Sequence, residues 1–190
     1  MELQRINLKI AFEQWDGSAE NVFKIFNRWI STATDEVLID VADYQHVPQG
    51  PKTVLVGHEA NYTLDNTDGR YGLLYGQKAT AQGSNAERLK SAIASALKAC
   101  RRLEQAQDAT AKARFVGAET VVVINDRLRA ANAEATLDEI RDDLDTVLGE
   151  LYAGASTQVE REGDGRHRFT VRMRAKGDFD TQTLLSNLGQ

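Results

Sequence analysis

The chain has 190 residues, 42% of them hydrophobic and 27% charged, so it can bury a sizeable core without disulfide staples, and its one cysteine, Cys100, excludes an intrachain disulfide. A net charge of −5 argues against broad electrostatic affinity for nucleic acid or anionic lipid. No run approaches the roughly 18 apolar residues of a membrane span, and the N-terminal residues lack a basic leader followed by an apolar stretch, so cytoplasmic residence is expected.

Ile6, Leu8, Ile10 and Phe12 alternate with polar residues, as in a strand with one buried face. After Asp16-Gly17-Ser18, residues Ala19, Val22, Phe23, Phe26, Trp29 and Ile30 recur at helical spacing, which predicts an amphipathic helix capped by Ser18. Residues 36–44 (EVLIDVADY) are rich in β-branched and apolar side chains and read as an interior strand. Val47-Pro48-Gln49-Gly50 fits a type I turn, and residues 53–56 form the returning strand.

The 57–76 region is expected to form a hairpin around Asp65-Asn66-Thr67-Asp68-Gly69-Arg70. Pairing Leu64 with Tyr71 and Tyr62 with Leu73 places His58 on the same apolar face as Tyr62 and Tyr71, with Glu59 and Asn61 on the other. Ser84 and Glu87 then form a capping box for a long helix to about residue 108, with Leu89, Ile93, Ala96, Leu97, Cys100 and Leu103 on its buried stripe. Burial among those residues makes Cys100 an inert thiol. Residues 105–114 are polar and alanine-rich, as in a linker.

In the second half, residues 120–124 (TVVVI) read as a strand buried on both faces, followed by a loop over 125–135. A second capping box, Thr136 to Glu139, opens a helix through Tyr152. A hairpin covers 156–176 and a short helix covers 181–188. Opposite charges favour a three-residue loop at 163–165, pairing Glu162 with Arg166, Glu160 with Arg168 and Val159 with Phe169. Arg166 and Arg168 are then neutralised within the chain.

These elements imply an α+β fold: an antiparallel or mixed sheet with helices packed mainly on one face. The order is β-α-β-β-hairpin-α over 1–108 and β-α-β-β-α over 115–190, and the halves are expected to pack as one compact domain. A ferredoxin-like arrangement of the first six elements is one way to fold that order. The halves share element order and not residue-level similarity.

The main candidate site is the 57–76 region, with His58, Glu59, Asn61, Tyr62, Asp65, Asp68, Arg70 and Tyr71 as ligand-binding residues. It suggests a non-catalytic binding or assembly module for a protein partner or small ligand, with self-association left open. An alternative is a small hydrolase using His58 or Glu59 with Asp65 or Asp68, since a base needs a positioned partner within hydrogen-bond reach. A further alternative is anion or nucleic-acid binding by the 166–176 strand through Arg166, Arg168, Arg172 and Arg174. Against it, acidic residues abound in the preceding helix and strand, and the stripe lacks base-stacking aromatics. The calcium-loop pattern fails in spacing at 65–76, the three histidines are too scattered to suggest a metal site, and no cofactor motif is present. The helix start at Gly83-Ser84-Asn85, near Lys78 and Arg88, is a weaker anion candidate, because Glu87 repels an anion there.

Overall fold

A computed structural model describes residues 1–106 and 112–190. In chain order the elements are β1 (Ile6–Trp15), α1 (Ala19–Thr32), β2 (Leu38–Asp43), β3 (Pro51–Gly57), β4 (Ala60–Asp65), β5 (Gly72–Gln77), α2 (Asn85–Glu104), β6 (Ala113–Phe115), β7 (Glu119–Ile124), α3 (Glu134–Glu139), α4 (Arg141–Leu151), β8 (Thr157–Glu162), β9 (Phe169–Ala175) and α5 (Thr181–Asn187). The fold is α+β, as the order of patterns predicts. Its strands form one antiparallel sheet in the order β2-β3-β4-β5-β1-β7-β9-β8, with β6 pairing beside the end of β1.

The two-residue period of the strands sorts this sheet into unlike faces. One row of cross-strand neighbours runs Val41, Leu55, Tyr62, Tyr75, Leu8, Val122, Val171 across seven strands, and every member is buried. The helices cover this face. The stripe Val22, Ile25, Phe26 and Trp29 of α1 and the stripe Leu89, Ile93, Leu97 and Cys100 of α2 join the same apolar cluster. The opposite face carries Lys9, Asp65, Glu119 and Arg172 instead.

Both halves are built alike. A first strand (β1 or β7) is followed by helix and then by a meander whose last strand (β5 or β9) docks beside the first. The antiparallel pairing of β1 with β7 joins the two units into one sheet. This consecutive meander replaces the ferredoxin-like arrangement.

Several local expectations are corrected. The 36–44 strand lies at the sheet edge, not its interior, leaving Val37 and Ile39 65% and 56% exposed. A bulge between Leu38 and Asp40 turns Ile39 outward, a common way of blunting an edge. β-branched residues signal a strand but not how many neighbours it has. The turn after β2 closes between Tyr44 and Val47 (2.9 Å), not over 47–50, and the Lys52 ammonium takes the Val47 carbonyl.

The capping boxes at Ser18 and Ser84 form, but the one at Thr136 does not. The helix begins at Glu134 and breaks at Ile140, where buried Leu137, Ile140 and Leu144 fix the path and outweigh the local cap. α2 ends at Glu104, whose carboxylate accepts from the Phe115 amide (3.4 Å) and the Thr181 hydroxyl (2.5 Å). The expected linker falls partly outside the described residues, and Ala113 and Arg114 belong to β6.

The first hairpin keeps a six-residue loop but shifts its register by two, and the second takes a longer loop than expected. In the first, Leu64 faces Leu73, Tyr62 faces Tyr75 and Asp65 faces Gly72. The Asp65 carboxylate holds the loop through the Thr67 amide (3.1 Å) and hydroxyl (2.6 Å). Gly72 must lie against β1, because an added Cβ would strike the Ile10 carbonyl and come within 2.8 Å of Ala11 Cα. In the second, Val159 faces Met173, Glu160 faces Arg172 and Glu162 faces Thr170, so the loop is 163–168. Asn132 Nδ2 donates to the carbonyls of Glu162 (2.7 Å) and Asp164 (3.1 Å) and pins that loop.

Candidate functional site

Where α1 and α2 diverge above β4 and β5 they leave a cleft of about 250 Å3. α1 supplies Trp29 as the last residue of its buried stripe. The connection to β2 supplies Asp35 and Glu36, the β3–β4 turn supplies Glu59, and the paired strands supply Tyr62 and Tyr75. Ser95, Lys98 and Arg102 come from α2.

The aromatic walls stand at steep angles. Trp29 and Tyr62 meet at 84° with centroids 6.2 Å apart, and Tyr62 and Tyr75 at 57° and 5.7 Å. The Arg102 guanidinium lies over the Trp29 ring, 4.5 Å from its centroid, and 3.6 Å from Glu36 Oε1. Its Nη2 also donates to Thr32 Oγ1 (3.2 Å) and to the Trp29 carbonyl (3.4 Å). The Tyr62 hydroxyl donates to the other Glu36 oxygen, Oε2, at 2.7 Å. Glu36 is therefore engaged on both oxygens and acts as a fixed acceptor.

Burial, then the bond to Glu36 and the charges of Glu36 and Asp35, push the Tyr62 phenol far above its ordinary range. Burial raises Tyr75 too, with Glu36 and Glu59 adding to the shift against the Ser95 hydrogen bond. Both phenols stay protonated, and the Tyr62 proton is committed to Glu36. Asp35, Glu36 and Glu59 thus all act on the cleft floor.

A second polar cluster occupies the helix-free face of the sheet. Lys9 is nearly closed to solvent and bonds Asp65 Oδ2 (2.7 Å) and Asp68. Glu119 on β7 binds Arg70, Arg172 and Arg174, the last at 2.8 Å. Arg172 also reaches Glu162 (3.0 Å) and Arg174 reaches Glu160 (3.2 Å). The space among Lys9, Asp68, Arg70, Glu119 and Arg172 is only about 10 Å3, room for about one water. This network cross-links five strands and leaves no room for a ligand.

The structure therefore divides the sequence-selected residues. Tyr62 and Glu59 reach the cleft. His58 is exposed on the β3–β4 turn, where its amide donates to the Val37 carbonyl (2.8 Å), so it does not share the Tyr62 face. Asn61 lies beside Gly57, whose amide meets its Oδ1 at 3.4 Å. Tyr71 joins a separate aromatic cluster with Phe12 and Trp15, and burial pushes its phenol up to about 12. Asp65, Asp68 and Arg70 belong to the network on the far face.

β4 separates His58 and Glu59 from Asp65 and Asp68 by about 17 Å of strand rise, so the residues of the hydrolase alternative are not brought together. In the basic strand, Arg172 and Arg174 are paired within the sheet, and Arg166 pairs with Asp164 (2.8 Å), not with Glu162. Arg168 meets Asn125 Oδ1 at 3.4 Å instead of Glu160. At the α2 start, Glu87 already takes the Ser84 amide (2.7 Å), the position an anion would need. Among the described residues, no group of three or more His, Cys, Asp or Glu side chains is placed to hold a metal ion. Among them, too, no helix is long and apolar enough to cross a membrane.

Sequence reasoning missed Trp29, Asp35, Glu36, Lys98 and Arg102 as site residues. Trp29 carried only a packing signal, and the others sit in separate segments with no motif linking them. No protein-family model matches the chain, and no curated protein is significantly similar to it in sequence.

Proposed function

We propose that this chain is a non-catalytic cytoplasmic binding module that takes a small ligand into the cleft walled by Trp29, Tyr62 and Tyr75. The 57–76 hairpin region contributes Glu59, Tyr62 and Tyr75, and the helices supply the opposite wall. The observation that carries this reading is the meeting of three aromatic rings with fixed polar groups at an opening of about 250 Å3. Binding pockets combine apolar walls with a few placed polar groups in this way. The volume lies just below the roughly 300 Å3 at which typical drug-sized pockets begin, so it suits a small molecule or one side chain.

An NMR screen of small cationic, neutral and anionic compounds tests the reading. At least one class should move the Trp29 indole resonance and the Tyr62 ring signals of the folded chain. If no compound of any charge moves them, the cleft is not a ligand site.

A further inference from the structure

We infer, building on that reading, that the ligand of the cleft is an organic cation: a primary or methylated ammonium on a short aliphatic stem. The first support is chemical precedent inside the chain itself. The Trp29 face already holds a guanidinium, Arg102, and Glu36 flanks it at 3.6 Å. An indole face with a carboxylate beside it attracts positive charge through the ring quadrupole and through direct Coulomb attraction.

The second support is the balance of unused charge. Of the cations of the cleft, Arg102 is paired with Glu36, whereas Lys98 bonds the neutral Gln190 Oε1 at 2.7 Å and keeps its charge. Asp35 and Glu59 line the same opening, and among the described residues neither carboxylate forms an ion pair. An incoming cation therefore meets two carboxylates without partners, whereas an incoming anion meets one unpaired ammonium, Lys98, and is opposed by Asp35, Glu36 and Glu59. The volume suits a stem of a few carbons.

The chemistry is shared by a free amine and by a lysine side chain of a peptide. The test is an NMR titration of the full chain with choline, its uncharged carbon isostere dimethylbutanol, and pentanoate. Choline should move the Trp29 and Tyr62 signals and bind about tenfold or more tightly than dimethylbutanol, with pentanoate inactive. The double variant Asp35→Asn, Glu59→Gln, checked for folding by circular dichroism, should weaken choline about tenfold relative to the parent and dimethylbutanol by clearly less. Titrations with n-butylammonium and a lysine-containing tripeptide separate the sources, the tighter binder naming the source. The inference is overturned if dimethylbutanol or pentanoate binds as tightly as choline, or if the Asp35→Asn, Glu59→Gln variant binds choline as well as the parent does. Either result leaves the small-ligand reading standing. Silence from every compound removes that reading instead.

Discussion

Lys9 and Asp65 form an ion pair across β5, 2.7 Å apart, with side chains only 7% and 5% exposed. It sits on the helix-free face, yet it is shielded like a core pair because neighbouring long side chains close over it. Removing one partner of such a pair leaves a buried charge without compensation, which costs about 3–5 kcal/mol. Lys9→Met should therefore lower stability by about 3 kcal/mol or more in urea unfolding. Lys9→Met combined with Asp65→Leu should recover part of that loss, because the buried carboxylate goes with its partner while the half-exposed Asp68 and the Thr67 contacts lose theirs. Equal destabilisation by the single and double variants would show that the pair is not the source.

The loop 163–168 makes an acid-range prediction. Asp164 accepts from the Arg166 side chain (2.8 Å) and amide (2.9 Å) and lies 2.9 Å from the His167 ring. The Arg166 side chain, then its amide, hold the Asp164 carboxyl at about 2, below its ordinary 3.8. The folded value is depressed, so the contribution to stability is present above the ordinary value and is lost as pH falls through about 2. An NMR titration should place the Asp164 midpoint near 2, and Arg166→Ala should move it back up. A midpoint unmoved by that substitution would remove the assigned cause.

Secondary structure was largely readable in the sequence because it depends on near neighbours. The α1 and α2 stripes, both serine caps and the burial parity of Phe169, Val171 and Met173 all follow from local spacing. Register was not readable, because distant residues set it. Gly72 must lie against Ile10, and Arg172 must meet Glu119 from β7 as well as Glu162. The cleft was readable only in part. Tyr62 and Glu59 stood out in their hairpin, but Glu36 and Arg102 lie 66 positions apart in sequence and meet only through the packing of α1 and α2 on the sheet.

His58 illustrates the same limit, since strand alternation placed it in the core and the turn places it in solvent. His58→Gln should change stability by no more than about 0.5 kcal/mol, as for an exposed surface site. A melting temperature lowered by several degrees would restore a structural role for the ring.

α2 offers a paired test of cap and stripe. Ser84 accepts from the Glu87 amide (3.3 Å) while Glu87 accepts from the Ser84 amide (2.7 Å). Ser84→Ala should cost about 1 kcal/mol. Cys100 lies wholly buried on the same helix, and burial pushes its thiol well above its ordinary range. A thiol reagent should therefore label Cys100 only after the chain unfolds. Rapid labelling of the native protein would contradict the packing of α2 on the sheet.

The last prediction concerns Gly72, the residue that fixes how closely β5 approaches β1. It pairs with Ala11 on one side and Asp65 on the other, at the strand end from which the Asp65 carboxylate reaches Lys9. Its φ is not in the left-handed region, so backbone freedom is not what requires glycine here. The requirement is space: an added Cβ would collide with the Ile10 carbonyl and the Ala11 backbone, and neither can swing aside as a side-chain tip does. Gly72→Ala must push β5 away from β1 and stretch their ladder. Overpacking of this kind costs about 1–3 kcal/mol, and the upper part of that range is expected because the obstruction is backbone. The displaced strand should also loosen the Lys9–Asp65 pair, so Gly72→Ala should cost less when added to Lys9→Met than when made alone. Simple additivity of the two substitutions in urea unfolding would show that the glycine and the ion pair act independently.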